Sequence, residues 1–338
     1  MTRLRVSWVL LGVAAVVVAA IAGVALGPVR LPPLGVAAEL LNLIPGVHLD
    51  SGLNEREIAI IIELRLPRVV LGLLVGAMLA LAGGCYQGVF RNPLADPYLL
   101  GVAAGAGLGA TVAIAVHGSA GAVPAFAFVG ALTAVGLTYL LGYAAGRDRS
   151  TSTLILGGIA ISSFLAAVQT YLLQRHVDTI REVYSWLLGR LATDGWSDTL
   201  MIAPYAVVTA IVVLLLRREL DVLSVGDAEA ASLGLHPGRS RLILVIAASL
   251  ATAAAVAVSG LIGFVGIIVP HLVRLLTGAS YRVILPLSML FGAAFLAIAD
   301  LAARTVVAPA ELPIGVVTAF LGAPFFIVVL RTTRSVRV

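Results

Sequence analysis

The sequence predicts an all-α, polytopic membrane protein with about ten transmembrane helices, and three observations carry that expectation. Apolar residues make up 60% of the 338-residue chain, charged residues only 12%, and the mean hydropathy is +1.08. No soluble core absorbs so large an apolar share. Apolar runs of about 20 residues, the length of a helix across a bilayer, recur from one end of the chain to the other. All 22 basic residues are arginine, and they are unevenly divided among the connecting loops. The whole chain, residues 1–338, reads as a single transmembrane domain.

The first run, Val6 to Gly27, follows Arg3 and Arg5. It is longer than the roughly 7–15 apolar residues of a secretory signal, so it reads as a span. Residues 28–64, with Pro28, Pro32, Pro33 and Pro45, read as a partly ordered connector. Spans follow at 66–89, 97–116, 122–145, 151–173 and 199–216. The stretch Leu242 to Leu276 would make one rod of roughly 50 Å, too long for a single crossing. It is interrupted by "VSGLIGFVGIIVP", with Gly260, Gly263, Gly266 and Pro270, so two spans joined by a tight turn fit better, the second of them short. Runs at 284–303 and 313–330 complete ten.

An even number of crossings puts both termini on one side. Fourteen of the 22 arginines fall there: Arg3, Arg5, Arg91, Arg147, Arg149, Arg217, Arg218, Arg239, Arg241, Arg274, Arg282, Arg331, Arg334 and Arg337. Only six of the 17 acids accompany them. By the positive-inside rule both termini are expected in the cytoplasm of a multi-pass protein of the cell membrane. The basic pI of about 9.8 follows from that orientation, and the arginines form no nucleic-acid patch.

Composition also excludes chemistry. Without lysine there is no Walker A loop, no Schiff-base site and no lysine general base. The single cysteine, Cys85, allows neither a disulfide framework nor a thiolate metal cage and reads as a small buried hydrophobe. His48, His117, His176, His236 and His271 form no ligand-spaced pair, so no metal site is expected. No H-E-x-x-H, nucleophile elbow or paired-carboxylate arrangement occurs, and no catalytic residue is assigned. An ion-coupled secondary transporter is the rival from another class. It would use ionisable groups near the bilayer midplane, whereas Glu63 and Asp300 fall at span ends. Nothing in the sequence requires a passive channel.

Two segments suggest an inverted repeat: "RLPRVVLGLLVGAMLALAGGCYQG" from Arg65 and "RLILVIAASLATAAAVAVSGLIGFVG" from Arg241 enter the membrane from opposite sides. Thirty-five glycines permit close helix approach, although GC-rich codon usage would give the same richness. In "GVFRNPLADPYLLGVAAGAGLGA", residues 88–110, Arg91, Asn92 and Pro93 form a turn, and Asp96 caps a helix restarted at Pro97.

That last string closely resembles the signature of the FecCD family, the permeases of type II ABC importers for ferric siderophores, haem and cobalamin. The resemblance continues, in order, through "RLPR" at 65–68, "GDAEAASLGL" at 226–235, "SGLIGFVGIIVPHLVR" at 259–274 and "ELPIGVVTAFLGAPFFIVVL" at 311–330. It covers nearly the whole chain and is specific for the family, not for the cargo.

Local chemistry and the resemblance meet in the polar stretch at 217–241. Asp221 can cap one short helix, Gly226 with Asp227 can break it and cap a second, and Gly234 can end that one. Its alanines and Ser232 give a low-profile surface suited to a partner's groove, although a solvated loop with two helical turns would read the same way. The resemblance implies that residues 221–234 are coupling helices docking into a cytoplasmic ABC ATPase dimer, which holds ATP and Mg while this chain binds no cofactor. Glu229, Ala230 and Ala231 begin a shortened form of the general importer motif, with Ser232 and Leu233 leading to Gly234 one residue early.

Further partners are implied by the same resemblance: a second permease copy or homologue, and a soluble binding protein, periplasmic or lipid-anchored. ATP-driven closure of the ATPase would rock rigid bundles around a pathway between the permeases. The segments "LGGIAISS" and "YSWLLGRL" resemble pathway and outer-gate helices, which makes Ser162, Ser163, Gln169 and Thr170 candidates to line it. Helix-packing roles would account for these four equally well. Related permeases receive the binding protein's acidic residues on basic residues at the outer mouth, and the matching positions are Arg65 or Arg68 and Arg304, whose forked guanidiniums suit carboxylates. Asp300 and Arg304 stand i, i+4, so Arg304 can instead be neutralised within its own helix, and Arg65 can instead anchor a helix end. Iron chelates are the expected cargo, with cobalamin close behind.

Overall fold

The computed structural model describes residues 4–27, 29, 31–117, 120–144, 151–193 and 195–334. Arg3, Pro28, Arg147, Arg149 and Arg337, used above for charge and connector, lie outside the described residues, as does the end of the 122–145 span. The described residues contain helices and no strand. In chain order the helices are α1 (Val6–Ala25), α2 (Pro33–Asn42), α3 (Glu55–Val89), α4 (Val102–Val112), α5 (Val123–Ala144), α6 (Thr151–Arg175) and α7 (Ile180–Leu187). They continue as α8 (Ser197–Leu215), α9 (Arg217–Leu223), α10 (Asp227–Ser232), α11 (Pro237–Ser259), α12 (Val265–Thr277), α13 (Tyr281–Thr305) and α14 (Ile314–Arg334). Seven of them, α1, α3, α5, α6, α8, α11 and α13, are long and apolar enough to cross a membrane, and α4, α12 and α14 are shorter apolar helices. Ten spans were expected from the sequence, and ten apolar helices are present among the described residues.

Burial sorts these helices into an inner set and a rim. In α3 and α11, 78% of the most apolar window is buried, against 22% in α1, α6 and α8. The inner helices are rich in small residues, which let backbones approach closely where lipid offers no hydrophobic drive between helices. Gly83 of α3 lies directly on the backbone of Gly266 in α12, so that a Cβ on Gly83 would overlap the Gly266 carbonyl. On the same helix Tyr86 is fully buried and its hydroxyl lies 2.6 Å from Ser249 Oγ of α11.

Two local expectations are corrected, and the partly ordered connector gains detail. Within residues 31–64, Pro33 opens α2 at its first position, and an Asn54–Glu57 capping box starts α3 eleven residues before the apolar run begins. A π turn at Ile60–Arg65 carries α3 into the membrane segment without a break. The helix expected from Pro97 starts instead at Val102, behind Gly101 with φ 86°. Asp96 Oδ1 accepts the Tyr98 N–H at 2.7 Å, and backbone bonds from Ala95 to Asn92, Leu99 to Asp96 and Gly101 to Tyr98 close successive turns. Asp96 thus stabilises a turn rather than capping a helix.

The interruption between α11 and α12 forms as expected, with Gly260 at φ 66° ending α11 and Phe264 at φ 70° preceding α12. Tyr98 splices it to the 92–101 turns: its hydroxyl donates to the Ile262 carbonyl at 2.9 Å and accepts the Ile262 N–H at 3.1 Å. One hydroxyl therefore satisfies both backbone groups of Ile262 inside the bundle, where lipid could not.

Candidate coupling and docking surfaces

On one face α9 and α10 form a ledge. Leu220 and Leu223 bury the inner side of α9, with Leu220 against Gly88 of α3. Gly226, at φ 131°, breaks the chain between the two helices, and Gly234, at φ 83°, ends the second, as the sequence suggested. Asp227 opens α10 and is gripped from behind: Arg241 Nη2 of α11 donates to Oδ1 at 2.8 Å and Oδ2 at 3.1 Å, and Arg91 Nη2 approaches to 3.7 Å. Ala230 is fully buried under α10, whereas Glu229 and Ala231 are exposed and Leu233 is 69% exposed. The ledge thus presents Val225, Glu229, Ala231 and Leu233 outward on a base fixed by ion pairs.

Asp221 does not cap a short helix. It lies inside α9, and its carboxylate reaches across to the start of α13, accepting Tyr281 N–H at Oδ1 (2.6 Å) and Ser280 Oγ–H at Oδ2 (3.0 Å), with Arg282 Nε at 3.6 Å. The first free amide of α13 is thereby satisfied from another helix, and a carboxylate sits at its positive end. Tyr281 also accepts a hydrogen bond from Arg274 Nη2 at 2.7 Å and packs its ring on Gly88. Nothing in the sequence pointed to Ser280 or Tyr281, because their link to Asp221 spans some sixty residues.

The opposite face holds Arg65, Arg68 and Arg304, which the structure gathers between α1, α3 and α13. Arg65 and Arg304 are buried, 5% and 3% exposed. Arg65 Nη1 donates to the carbonyls of Val24 (2.8 Å) and Ala25 (3.1 Å) and its Nη2 donates to Val29, while Arg304 Nη2 donates to Gly23 at 2.8 Å. Two guanidiniums from other helices therefore cap the C-terminus of α1, whose last carbonyls have no partner of their own. Arg304 also stands 3.1 Å from Asp300 Oδ2, the neutralisation within one helix that their spacing allowed. Arg68 is the reachable member of the three, with its side chain 15% exposed. Of the three docking candidates, the two that hold the end of α1 are thus the buried ones. Glu311, overlooked in the sequence, is bound to Arg68 through Nη1–Oε1 at 2.9 Å and Nη2–Oε2 at 3.0 Å.

An apolar groove of about 620 Å³ runs between α7, the 261–264 segment and α14, lined by Leu187, Leu188, Phe264, Val316, Phe320 and Pro324 among others. Backbone bonds from Arg190 to Ser259 (2.8 Å) and Gly315 to Leu188 (3.0 Å) tie the three walls together. The candidates on α6 are distributed differently. Ser163 and Thr170 are exposed beside Leu156, Ile159, Phe164 and Tyr171, and their hydroxyls donate to Ile159 and Ala166 of their own helix. Gln169 Nε2 donates to Thr111 Oγ1 at 3.1 Å, and Ser162 faces Gly101, so both lie toward α4.

A profile of the FecCD transport family matches residues 14–332. The chain is 43% identical over 299 residues to the cobalamin import system permease protein BtuC of Halobacterium salinarum, covering 88% of this chain and 80% of that protein. It is 38% identical over 297 residues to the hemin transport system permease protein HmuU of Yersinia pestis, covering 85% and 88%. A solved structure described as an inward-facing conformation of a metal-chelate type ABC transporter matches with a TM-score of 0.83 at 30% identity, covering 95% of this chain and 97% of that one.

Proposed function

This chain belongs to the FecCD transport family, and on that premise we propose that it is the transmembrane permease subunit of an ATP-binding cassette importer for metal chelates. The cargo is foremost a ferric siderophore or haem, handed over by a soluble binding protein. The observation that carries the reading is the ledge of α9 and α10, which holds Val225, Ala231 and Leu233 outward beside one carboxylate, Glu229, while Asp227, Arg241 and Arg91 fix it from behind. Such a ledge suits a groove on a cytoplasmic ATPase dimer, which supplies the ATP and Mg site.

Movement of the ledge reaches the bundle through Asp221, because its carboxylate holds the first turn of α13. That helix ends at Asp300 and Arg304 beside Arg68, so one continuous helix joins the coupling face to the outer mouth. The orientation with both termini cytoplasmic follows from the arginine distribution. A second permease copy or homologue covers the groove of α7 and α14 and the exposed stripe of α6, placing Ser163 and Thr170 toward the shared pathway, with Ser162 and Gln169 behind them. At the mouth, Arg68 receives the binding protein, and Arg65 and Arg304 contribute positive potential from below the surface.

Cobalamin is the second reading, favoured by the 43% identity to a cobalamin import permease. The two are separated by proteoliposome uptake with ferric siderophore, haem and cobalamin, each supplied on a loaded binding protein with ATP enclosed. Uptake of an iron chelate or haem is expected. ATP-dependent uptake of cobalamin alone would establish the second reading, and uptake driven by an ion gradient without ATP would overturn both.

A further inference from the structure

All three guanidinium nitrogens of Arg68 donate to two carboxylates that differ in one respect. Asp300 accepts from Nε at 3.1 and 3.2 Å and from Nη2 at 2.8 Å, its side chain is 3% exposed, and Arg304 holds it from the other side. Glu311 accepts from Nη1 and Nη2 in a two-pronged fork, and its side chain is 45% exposed. It belongs to the segment between α13 and α14, which joins the two helices at this face. The buried carboxylate is a fixed part of the fold, because removing it would strand two guanidiniums. The exposed one is open to water and to a competing carboxylate, so its fork can be exchanged without leaving a buried charge unpaired.

Two depressions adjoin this pair. One, of about 200 Å³, is lined by Arg68, Asp300, Glu311, Ser185 and Arg190, and the other, of about 370 Å³, by Arg65, Arg68, Arg304, Glu311 and Thr193. Arg68 and Glu311 line both, so the pair is the wall between them. With Glu311 swung outward, the two depressions merge over four guanidiniums, those of Arg65, Arg68, Arg190 and Arg304, opposed among the lining residues by the single carboxylate of Asp300.

We propose that Glu311 is an exchangeable placeholder on Arg68, occupying the position that a carboxylate of an acidic protein surface takes when that surface docks. Glu311 thereby sets the affinity of this mouth: a docking carboxylate gains the Arg68 fork only by displacing one already there. The proposal rests on the docking reading of the outer mouth given above. It places the point of exchange at Arg68, because Arg65 and Arg304 are committed to the carbonyls of α1.

The test uses the full transporter in nanodiscs, with two probes. Phenylglyoxal labelling of Arg68, read by peptide mass spectrometry, reports whether the fork is free. Affinity for the binding protein that stimulates the transporter's ATPase, measured at low ionic strength, reports docking. Glu311→Gln is expected to speed labelling of Arg68 and to tighten binding about two- to five-fold, chiefly through a faster on-rate. Glu311→Ala should change both in the same direction, with thermal unfolding checking that each variant is folded. The charge-balanced pair Arg68→Gln with Asp300→Asn should weaken binding and abolish the gain from Glu311→Gln. If that pair weakens binding but both Glu311 variants leave it unchanged or weaker, the placeholder is refuted and the docking reading stands. If the pair leaves affinity unaltered, the docking reading fails and the placeholder with it.

Discussion

Asp96 illustrates what a single side chain can be asked to do at the edge of a membrane bundle. It is partly buried, and loss of water pushes its carboxyl above the ordinary range, with the Tyr98 N–H pulling it partly back. The folded state therefore binds this proton more tightly than the unfolded chain. The ionised carboxylate costs stability above the raised folded pKa, and the cost fades as pH falls through that value to below the unfolded one. Asp96→Asn keeps an acceptor for Tyr98 and removes the charge. Its unfolding temperature in detergent should exceed that of the wild type at about pH 7.5, and the two should converge on acidification to about pH 4. A variant less stable than wild type at neutral pH would show that the charge itself supports the turn. In the sequence, Asp96 before Pro97 reads as a helix cap, because an Asx turn and an N-cap share one local pattern. Asp221 misleads for a different reason: its amide partner belongs to a helix some sixty residues away, beyond any local signal.

At the scale of elements, apolar length alone located the membrane segments, whereas which of them are inner was not legible, since rim helices such as α1 and α6 are as rich in small residues as the buried α3. The legible parts were those where one physical demand dominates, such as the break at Gly260 to Phe264 and the left-handed glycines around α10. The helices at Pro33–Asn42 and from Glu55 were less legible, since the prolines around the first read as breakers although Pro33 occupies the first turn of α2, where no N–H is needed. The Gly83 contact gives the sharpest expectation here. Gly83→Val would drive branched carbons into the Gly266 backbone, and neither α3 nor α12 can retreat from the surrounding bundle. Overpacking of this kind costs about 1–3 kcal/mol, and more where backbone must move. The variant should therefore reach the membrane at reduced yield and elute as aggregate in size-exclusion chromatography, whereas wild-type yield with an unshifted unfolding temperature would show that the two helices have room.

For the molecule as a whole, α13 joins the ledge at one face to the arginine cluster at the other. Its first turn is held by Asp221 on the ledge, and its last carries Asp300 and Arg304 into the arginine cluster. Family membership, fold class and the position of the ledge were legible from motifs that cover nearly the whole chain, whereas the burial of Arg65 and Arg304 was not. An arginine at a span end reads as exposed until the neighbouring helix terminus it caps is known. The central claim, a permease coupled to a separate ATPase through α9 and α10, is tested most directly by one measurement. The chain is co-expressed with its ATPase and binding protein, and ATP hydrolysis is measured in nanodiscs beside Ala230→Trp, whose side chain has no space in the buried seat under α10. The expected result is an ATPase that co-purifies with the wild type and is stimulated by loaded binding protein, and a variant in which stimulation is lost. Absence of a co-purifying ATPase under mild conditions, or full stimulation in Ala230→Trp, would contradict it.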